Sequence, residues 1–331
     1  MSLRVLRAGM LTTVQDLGRT EFQQYGVIVS GVMDSLSLRI ANLLVGNPQQ
    51  AAGLEITLMG PTLLFEQDTL IALTGADLSP RINQQLVPAR RPVWVRAGSQ
   101  LDFGAPRFGC RACLSIAGGI DVPLVMNSRS TCLPAQLGGY RGRSLLMDDS
   151  LPVGSASPQA IQRIRHLAKA VSDQSMSSVT WLAGMDLANY AKEPTIRVIP
   201  GSQYDWFTAA SQKTFLSETF CISPQSDRMG FRLSGPVLQQ QKPRELLSEA
   251  VTFGTIQVPA DGHPIILMAD RPTTGGYAKI AQVIAVDLPV LAQMKPGSKV
   301  RFQAITLEAA RQEFRSREVQ IDRLRCGIAL N

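Results

Sequence analysis

Histidine is almost missing from this chain, with two in 331 residues, His166 and His263. That scarcity argues against a His-rich metal site and against a Ser-His-Asp triad. Cysteine is sparse and odd in number: Cys110, Cys113, Cys132, Cys221 and Cys326. No secretory leader core precedes them, so a disulfide framework is not expected. Cys110 and Cys113 have redox or half-zinc spacing, but no second pair of that kind follows. In a strand, positions i and i+3 point to opposite faces, so both are read as small buried hydrophobes. Aromatic residues make up only 6%, which leaves Leu, Ile, Val and Met to fill the core. No apolar run approaches the ~20 residues of a membrane span, and a cytoplasmic location is expected. A Walker A loop, a Gly-x-Gly-x-x-Gly turn in a Rossmann setting and a Gly-x-Ser-x-Gly elbow are all absent. The net charge of +7 and pI near 9.4 would suit an anionic partner. Yet the basic residues are dispersed. Their densest run, 311–325, is broken by Glu313, Glu318 and Asp322, and no nucleic-acid-binding signature accompanies it.

What is present is the composition of a folded, two-domain protein: 45% hydrophobic and 18% charged residues. Short apolar runs at 56–58, 62–65, 70–74, 94–95, 100–103 and 111–116 alternate with Gly, Pro, Asp and Asn. That spacing predicts a β-barrel or sandwich. One helix stands out: Asp34 or Ser35 can cap it, and Leu36, Leu38, Ile40, Leu43 and Leu44 form its buried face. Gly46-Asn47-Pro48 stops it. Residues 155–178 change character, with a short helix and then a serine-rich stretch, and read as a linker. Strands resume at 195–199, with a short helix predicted at 204–210 and a charged terminal helix at 308–325. The expected boundaries are 1–154 for a first β domain, 155–194 for the linker, 195–305 for a second β domain and 306–331 for the tail.

The halves repeat a pattern. Glu55 stands five residues before Gly60, and Glu249 five before Gly254. Thr62-Leu63-Leu64-Phe65 matches Thr255-Ile256-Gln257-Val258, and Gly98-Ser99-Gln100-Leu101-Asp102-Phe103 matches Gly297-Ser298-Lys299-Val300-Arg301-Phe302. Order kept across several segments points to duplication.

Chemistry without histidine must use carboxylates, arginine, lysine, hydroxyls and backbone amides. The densest supply is Asp270-Arg271-Pro272-Thr273-Thr274-Gly275-Gly276-Tyr277-Ala278-Lys279, directly after an apolar strand. Paired glycines allow a sharp turn or a close approach, and amides in such a turn can cradle an anion. Three further clusters are Asp16/Arg19, Ser30/Asp34 and Asp227/Arg228. Arginine forks match carboxylate and phosphate. The plainer alternatives are loop-holding hydrogen bonds for Asp16/Arg19 and Asp227/Arg228, and a helix cap for Asp34.

These motifs also carry a resemblance. Thr13-Val14-Gln15-Asp16-Leu17-Gly18-Arg19, Ser30-Gly31-Val32-Met33-Asp34, Ala117-Gly118-Gly119-Ile120-Asp121-Val122-Pro123, Ser128-Arg129-Ser130-Thr131, Ser226-Asp227-Arg228-Met229-Gly230 and the stretch from Asp270 to Tyr277 are its main elements. Together they resemble the biotin-dependent carboxyltransferase-like family, which includes the C-type chain of 5-oxoprolinase, the KipA antagonist and the allophanate hydrolase subunit 2-like part of urea amidolyase. The likeness runs from about residue 3 to 302. It implies a mainly β fold with short helices, in two cyclophilin-like β-barrel domains related by duplication. It implies partners: a KipI-like B-type chain and a LamB/YcsF-like A-type chain, which together with this one resemble an ATP-dependent 5-oxoprolinase. ATP with Mg is the implied cofactor, held at the complex rather than necessarily here. No Met-Lys-Met motif occurs, so no biotin is expected on this chain. The site residues implied are Arg271, Lys279, Tyr277 and Asp227 for catalysis. Arg228, Thr273, Thr274, Gly275, Gly276, Asp16, Arg19 and Asp34 are implied for substrate or anion binding. The alternatives are a KipA-like regulator that binds a kinase inhibitor without turnover, and a urea-type carboxyltransferase or amide hydrolase.

Overall fold

The computed structural model describes residues 2–169, 174–184, 193–242 and 244–330. The chain forms two compact units. Unit 1 comprises Met1–Arg19, Ser30–Leu187 and Ile321–Asn331, and unit 2 comprises Thr20–Val29 and Ala188–Gln320.

Unit 1 holds strands β1 (Ser2–Arg7), β2 (Leu11–Gln15), β3 (Gly53–Thr57), β4 (Thr62–Phe65), β5 (Thr69–Asp77), β6 (Arg81–Ile82), β7 (Gln85–Leu86), β8 (Val93–Val95), β9 (Gln100–Asp102), β10 (Phe108–Ile116), β11 (Ser150–Pro152) and β12 (Met176–Ser178). They make two six-stranded sheets, ordered β11-β1-β4-β9-β6-β7 and β12-β8-β5-β10-β3-β2. Val5, Leu63, Phe65 and Leu101 from the first sheet meet Leu54, Ile56, Leu73 and Leu114 from the second in one buried core. Helix α1 (Ser35–Leu44) lays Leu36, Ile40 and Leu44 against Leu70, Ala72 and Trp94. Its apolar positions recur at helical spacing, and the Asp34 carboxylate caps it by accepting from the Ser37 amide at 2.9 Å.

Unit 2 holds β13 (Thr195–Pro200), β14 (Phe220–Ile222), β15 (Gly230–Ser234), β16 (Glu249–Ala250), β17 (Thr255–Val258), β18 (Ile265–Leu267), β19 (Thr274–Gly275), β20 (Ala278–Val283) and β21 (Lys299–Ala304). Seven of them close a barrel in the order β13-β20-β17-β18-β15-β14-β21. The parallel pairing of β13 with β21, Ile196 opposite Phe302, completes the closure. Phe215 stacks on Phe302 with ring centroids 4.6 Å apart. Strands β16 and β19 stay outside the barrel as a two-stranded ribbon, with Glu249 opposite Gly275.

The chain is thus mainly β with short helices, and its two β units fit the expected duplicated barrel domains. Of the segments matched between the halves, Thr62–Phe65 and Thr255–Val258 are interior strands in both, β4 between β1 and β9 and β17 between β18 and β20, whereas Glu55 is buried on β3 and Glu249 lies on the ribbon strand β16, outside the barrel. Three expectations shift. The helix assigned to a linker, α2 (Pro158–Lys169), buries Ala160 and Leu167 in the same cluster as α1, so it belongs to unit 1. The helix predicted at 204–210 is a 3-10 turn at Tyr204–Trp206 followed by α3 (Ala209–Ser217). Extended backbone at Phe207 separates them, and Thr208 starts a new cap by accepting from the Ser211 amide at 3.1 Å. A five-residue helix, α4 (Leu288–Ala292), follows the barrel's β20. The terminal helix, α5 (Leu307–Ala329), is no separate tail, because Ile321 is buried in the unit 1 core.

Candidate functional site

In unit 2 the turn before β15 and the loop after β18 are joined by a buried fork. Arg228 Nε donates to Asp270 Oδ2 at 2.9 Å, and Nη2 to Oδ1 at 3.2 Å. The Asp270 amide returns to the Arg228 carbonyl at 2.8 Å. Such a fork is geometrically specific and satisfies the aspartate.

The next residue, Arg271, is 7% exposed. Its Nε is buried without a hydrogen-bond partner among the described residues. Burial pulls the Arg271 guanidinium down to about 10, with Asp270 opposing the shift. It therefore remains charged at neutral pH, and Asp270 is already engaged by Arg228. A dehydrated cation with an unmet donor is a poised anion site.

Lys279 is 8% exposed. Its Nζ donates to Glu249 Oε2 at 2.5 Å. That contact holds the Glu249 carboxyl below its ordinary value, and Gln203 adds a further hydrogen bond to it. Gln203 also accepts from the Lys279 amide at 3.3 Å. Lys279 lies opposite Gln257 on β17, so the two side chains share a face. The ribbon's Glu249–Gly275 pair sits over them: a Cβ on Gly275 would stand 2.9 Å from Gln257 Oε1. Gly275 and Gly276 do not have the left-handed φ that an amide nest of the expected kind requires. Glycine at 275 leaves room for the Gln257 side chain as the ribbon passes over it. Thr273 accepts from the Val251 amide through its carbonyl at 3.1 Å. Thr274 and Gly276 are exposed on the ribbon side, and Tyr277 is 48% exposed.

Asp227, expected to be catalytic, holds its own turn. Its Oδ1 accepts from the amides of Met229 at 2.8 Å and Gly230 at 3.1 Å. This is the loop-holding alternative, in a turn where short acidic side chains are favoured.

The other expected residues, Asp16, Arg19 and Asp34, lie in unit 1. Asp16 Oδ1 accepts from the Gly18 amide at 2.8 Å, from Ser128 Oγ at 2.7 Å and from Ser130 Oγ, and Oδ2 accepts from the Arg129 amide at 2.5 Å. Arg19 donates from Nη2 to the Ser130 carbonyl at 2.5 Å and from Nε to the Val125 carbonyl at 3.5 Å. Asp34 caps α1, and its Oδ2 also accepts from Ser37 Oγ at 2.7 Å. Glu55 accepts from the Met33 amide at 2.6 Å, so two carboxylates pin the 30–34 loop. Within that loop Ser30 is buried at φ 55°. Cys113 lies beneath it as a free thiol, which burial and then Asp34 and Glu55 push up.

The structure thus places the Arg228–Asp270 fork with Arg271, and separately the Lys279–Glu249 contact, in unit 2, and builds Asp16, Arg19 and Asp34 into loop supports in unit 1. Sequence reasoning missed Asp270 as the partner of Arg228, and Gln203 and Gln257 as neighbours of Lys279. A glutamine inside the apolar run Thr255–Val258 was the available signal.

The family described as carboxyltransferase domain, subdomain A and B, matches residues 25–304. The 5-oxoprolinase C subunit of Escherichia coli (strain K12) is 41% identical over 308 residues, covering 93% of both chains. The protein of the same name from Haemophilus influenzae is 37% identical over 313 residues, covering 95% of this chain and 94% of the other. Among solved structures, the urea amidolyase of K. lactis superposes with a TM-score of 0.86 at 32% identity. It covers 98% of this chain but only 20% of that longer one.

Proposed function

Because the chain belongs to the carboxyltransferase-domain family, subdomains A and B, we propose that it is the C-type member of an ATP-dependent 5-oxoprolinase. It works in the cytoplasm with a KipI-like B-type chain and a LamB/YcsF-like A-type chain, and the complex opens 5-oxo-L-proline to L-glutamate. Two relatives that are 5-oxoprolinase C subunits, matched over almost their whole length, support the reading. The single structural observation that carries it is Arg271, a buried cation whose Nε lacks a partner among the described residues.

A lactam is resonance-stabilised and its nitrogen leaves poorly. Transfer of the γ-phosphoryl group of ATP to the lactam oxygen, with ADP leaving, makes the ring carbon electrophilic. Water then adds at that carbon. The ring C–N bond then breaks, the nitrogen leaving as the amine, and a second water hydrolyses the resulting acyl phosphate to glutamate and phosphate. Phosphoryl transfer depends on positioned cations and donors more than on covalent groups. Arg271 supplies a desolvated charge for the transferring oxygens, with Arg228 locked beside it by Asp270. Lys279, held by Glu249, adds a second cation. ATP is a co-substrate in this reading, and its Mg2+ rides on the phosphates.

The test is oxoproline-dependent release of glutamate and phosphate by the three chains together, with each omitted in turn. Activity requiring all three is the expected result. A stable complex with the B-type chain but no turnover in any combination would replace it with the regulatory, KipA-like reading. A urea-type carboxyltransferase is kept as a second reading because of the TM-score of 0.86 to a urea amidolyase. It predicts turnover only when a biotin carboxylase and a biotin carrier are added.

A further inference from the structure

The Gly276–Tyr277 end of the candidate loop opens onto a cleft of about 700 Å³ in unit 2. Its apolar floor is Leu238, Val258 and Ala278, all buried. Gly276 keeps one wall thin, because a Cβ there would meet the Leu246 carbonyl oxygen at 3.3 Å. Arg244 and Glu245 line the cleft from the strap leading to β16. The Arg244 guanidinium lies over the Trp206 ring, 5.1 Å from its centroid. It has no ion pair among the described residues. Stacking holds a guanidinium flat and leaves its edge donors available to a carboxylate. Gln240 also lines the cleft, and its Oε1 is buried without a hydrogen-bond partner among the described residues.

An apolar floor, a held guanidinium and an unmet carbonyl acceptor complement a small ligand with an apolar body, a carboxylate and an N–H. We infer that this cleft binds the lactam acid, with Arg244 receiving its carboxylate and Gln240 Oε1 its ring N–H. The assignment rests on the 5-oxoprolinase reading and goes beyond it by naming the anchor. Glu245 on the same wall adds a consequence. It repels a second carboxylate, so the ring-opened dicarboxylate is held less well than the lactam and leaves.

The experiment compares 5-oxo-L-proline with 2-pyrrolidinone, the same lactam without the carboxylate, using the wild-type chain, Arg244→Met, Arg244→Lys and Gln240→Leu. Initial rates are measured in the three-chain assay, and binding of both lactams to this chain by calorimetry. Arg244→Met is expected to raise KM for 5-oxoproline about ten- to a hundred-fold, the worth of a charged hydrogen bond, with kcat little changed. Arg244→Lys recovers part of the loss. Discrimination between the two lactams collapses in Arg244→Met, an effect that a merely structural role would not produce. Wild-type turnover with an unaltered KM in Arg244→Met, or an equal loss for both lactams, overturns the anchor and leaves the proposed function standing. If no combination of chains turns over, the proposed function falls. Calorimetry then decides the anchor alone: tighter binding of 5-oxoproline that is lost in Arg244→Met upholds it, and equal binding of both lactams overturns it.

Discussion

The molecule contains two arginine–aspartate centres that look alike as residue lists and differ as physics. Around Asp16 in unit 1, both carboxylate oxygens are occupied by serine hydroxyls and backbone amides, and Arg19 faces main-chain carbonyls. Around Asp270 in unit 2, one arginine is forked to the aspartate, and the next, Arg271, is buried with no side-chain hydrogen bond or ion pair among the described residues. A carboxylate whose lone pairs are filled from its own chain can be offered to a ligand only by dismantling the loop. A buried cation whose charge is not matched is stabilised by an anion that binds. The first arrangement supports structure, and the second suits recognition.

Substitution can break this comparison. Asp16→Ala strands the Ser128 and Ser130 hydroxyls and the Gly18 and Arg129 amides. It should cost about 3–5 kcal/mol of unit 1 stability, read by denaturant unfolding. Arg19→Met should cost about 3 kcal/mol by leaving buried carbonyls unpaired. Arg271→Met, the same exchange at the other centre, should leave stability unchanged or raised, since a desolvated charge is removed. It should lower oxoproline-dependent ATP hydrolysis by about 100-fold or more. Equal destabilisation by Arg19→Met and Arg271→Met would erase the distinction between the centres.

Two smaller effects sharpen it. Gly275→Ala puts a methyl 2.9 Å from Gln257 Oε1, the far end of a side chain that can swing aside, and 3.2 Å from Val251 Cγ1, and should cost no more than about 1 kcal/mol. The Glu249–Lys279 contact makes a signed pH prediction. The folded Glu249 carboxyl lies below its ordinary 4.5, so between the two values the unfolded chain binds more protons. The contact's contribution is fully present above 4.5 and is lost as pH falls through the folded value. A carboxyl-resolved NMR titration should show the Glu249 midpoint returning to its ordinary value in Lys279→Met.

Much was legible in the sequence because it is local. Helical spacing from Leu36 to Leu44, with Asp34 in front, specifies α1 and its cap, since capping and amphipathicity act over a few residues. Short alternating runs broken by Gly and Pro specified a mainly β chain. The scarcity of histidine pushed any chemistry toward arginine, lysine and carboxylates. What the sequence could not decide was which polar residues would be satisfied. Ser128 and Ser130 lie more than a hundred positions from Asp16, and Asp270 lies 42 from Arg228. Whether an acid is saturated, or a buried arginine is left without a side-chain partner, depends on which distant strands become neighbours. The paired glycines show the same limit: their composition suggested a turn, and the fold uses Gly275 to let a ribbon approach Gln257. Side-chain type and spacing determined the elements and the available chemistry. Only tertiary packing, which sets burial and hydrogen-bond partners, decided where that chemistry stays open to a ligand.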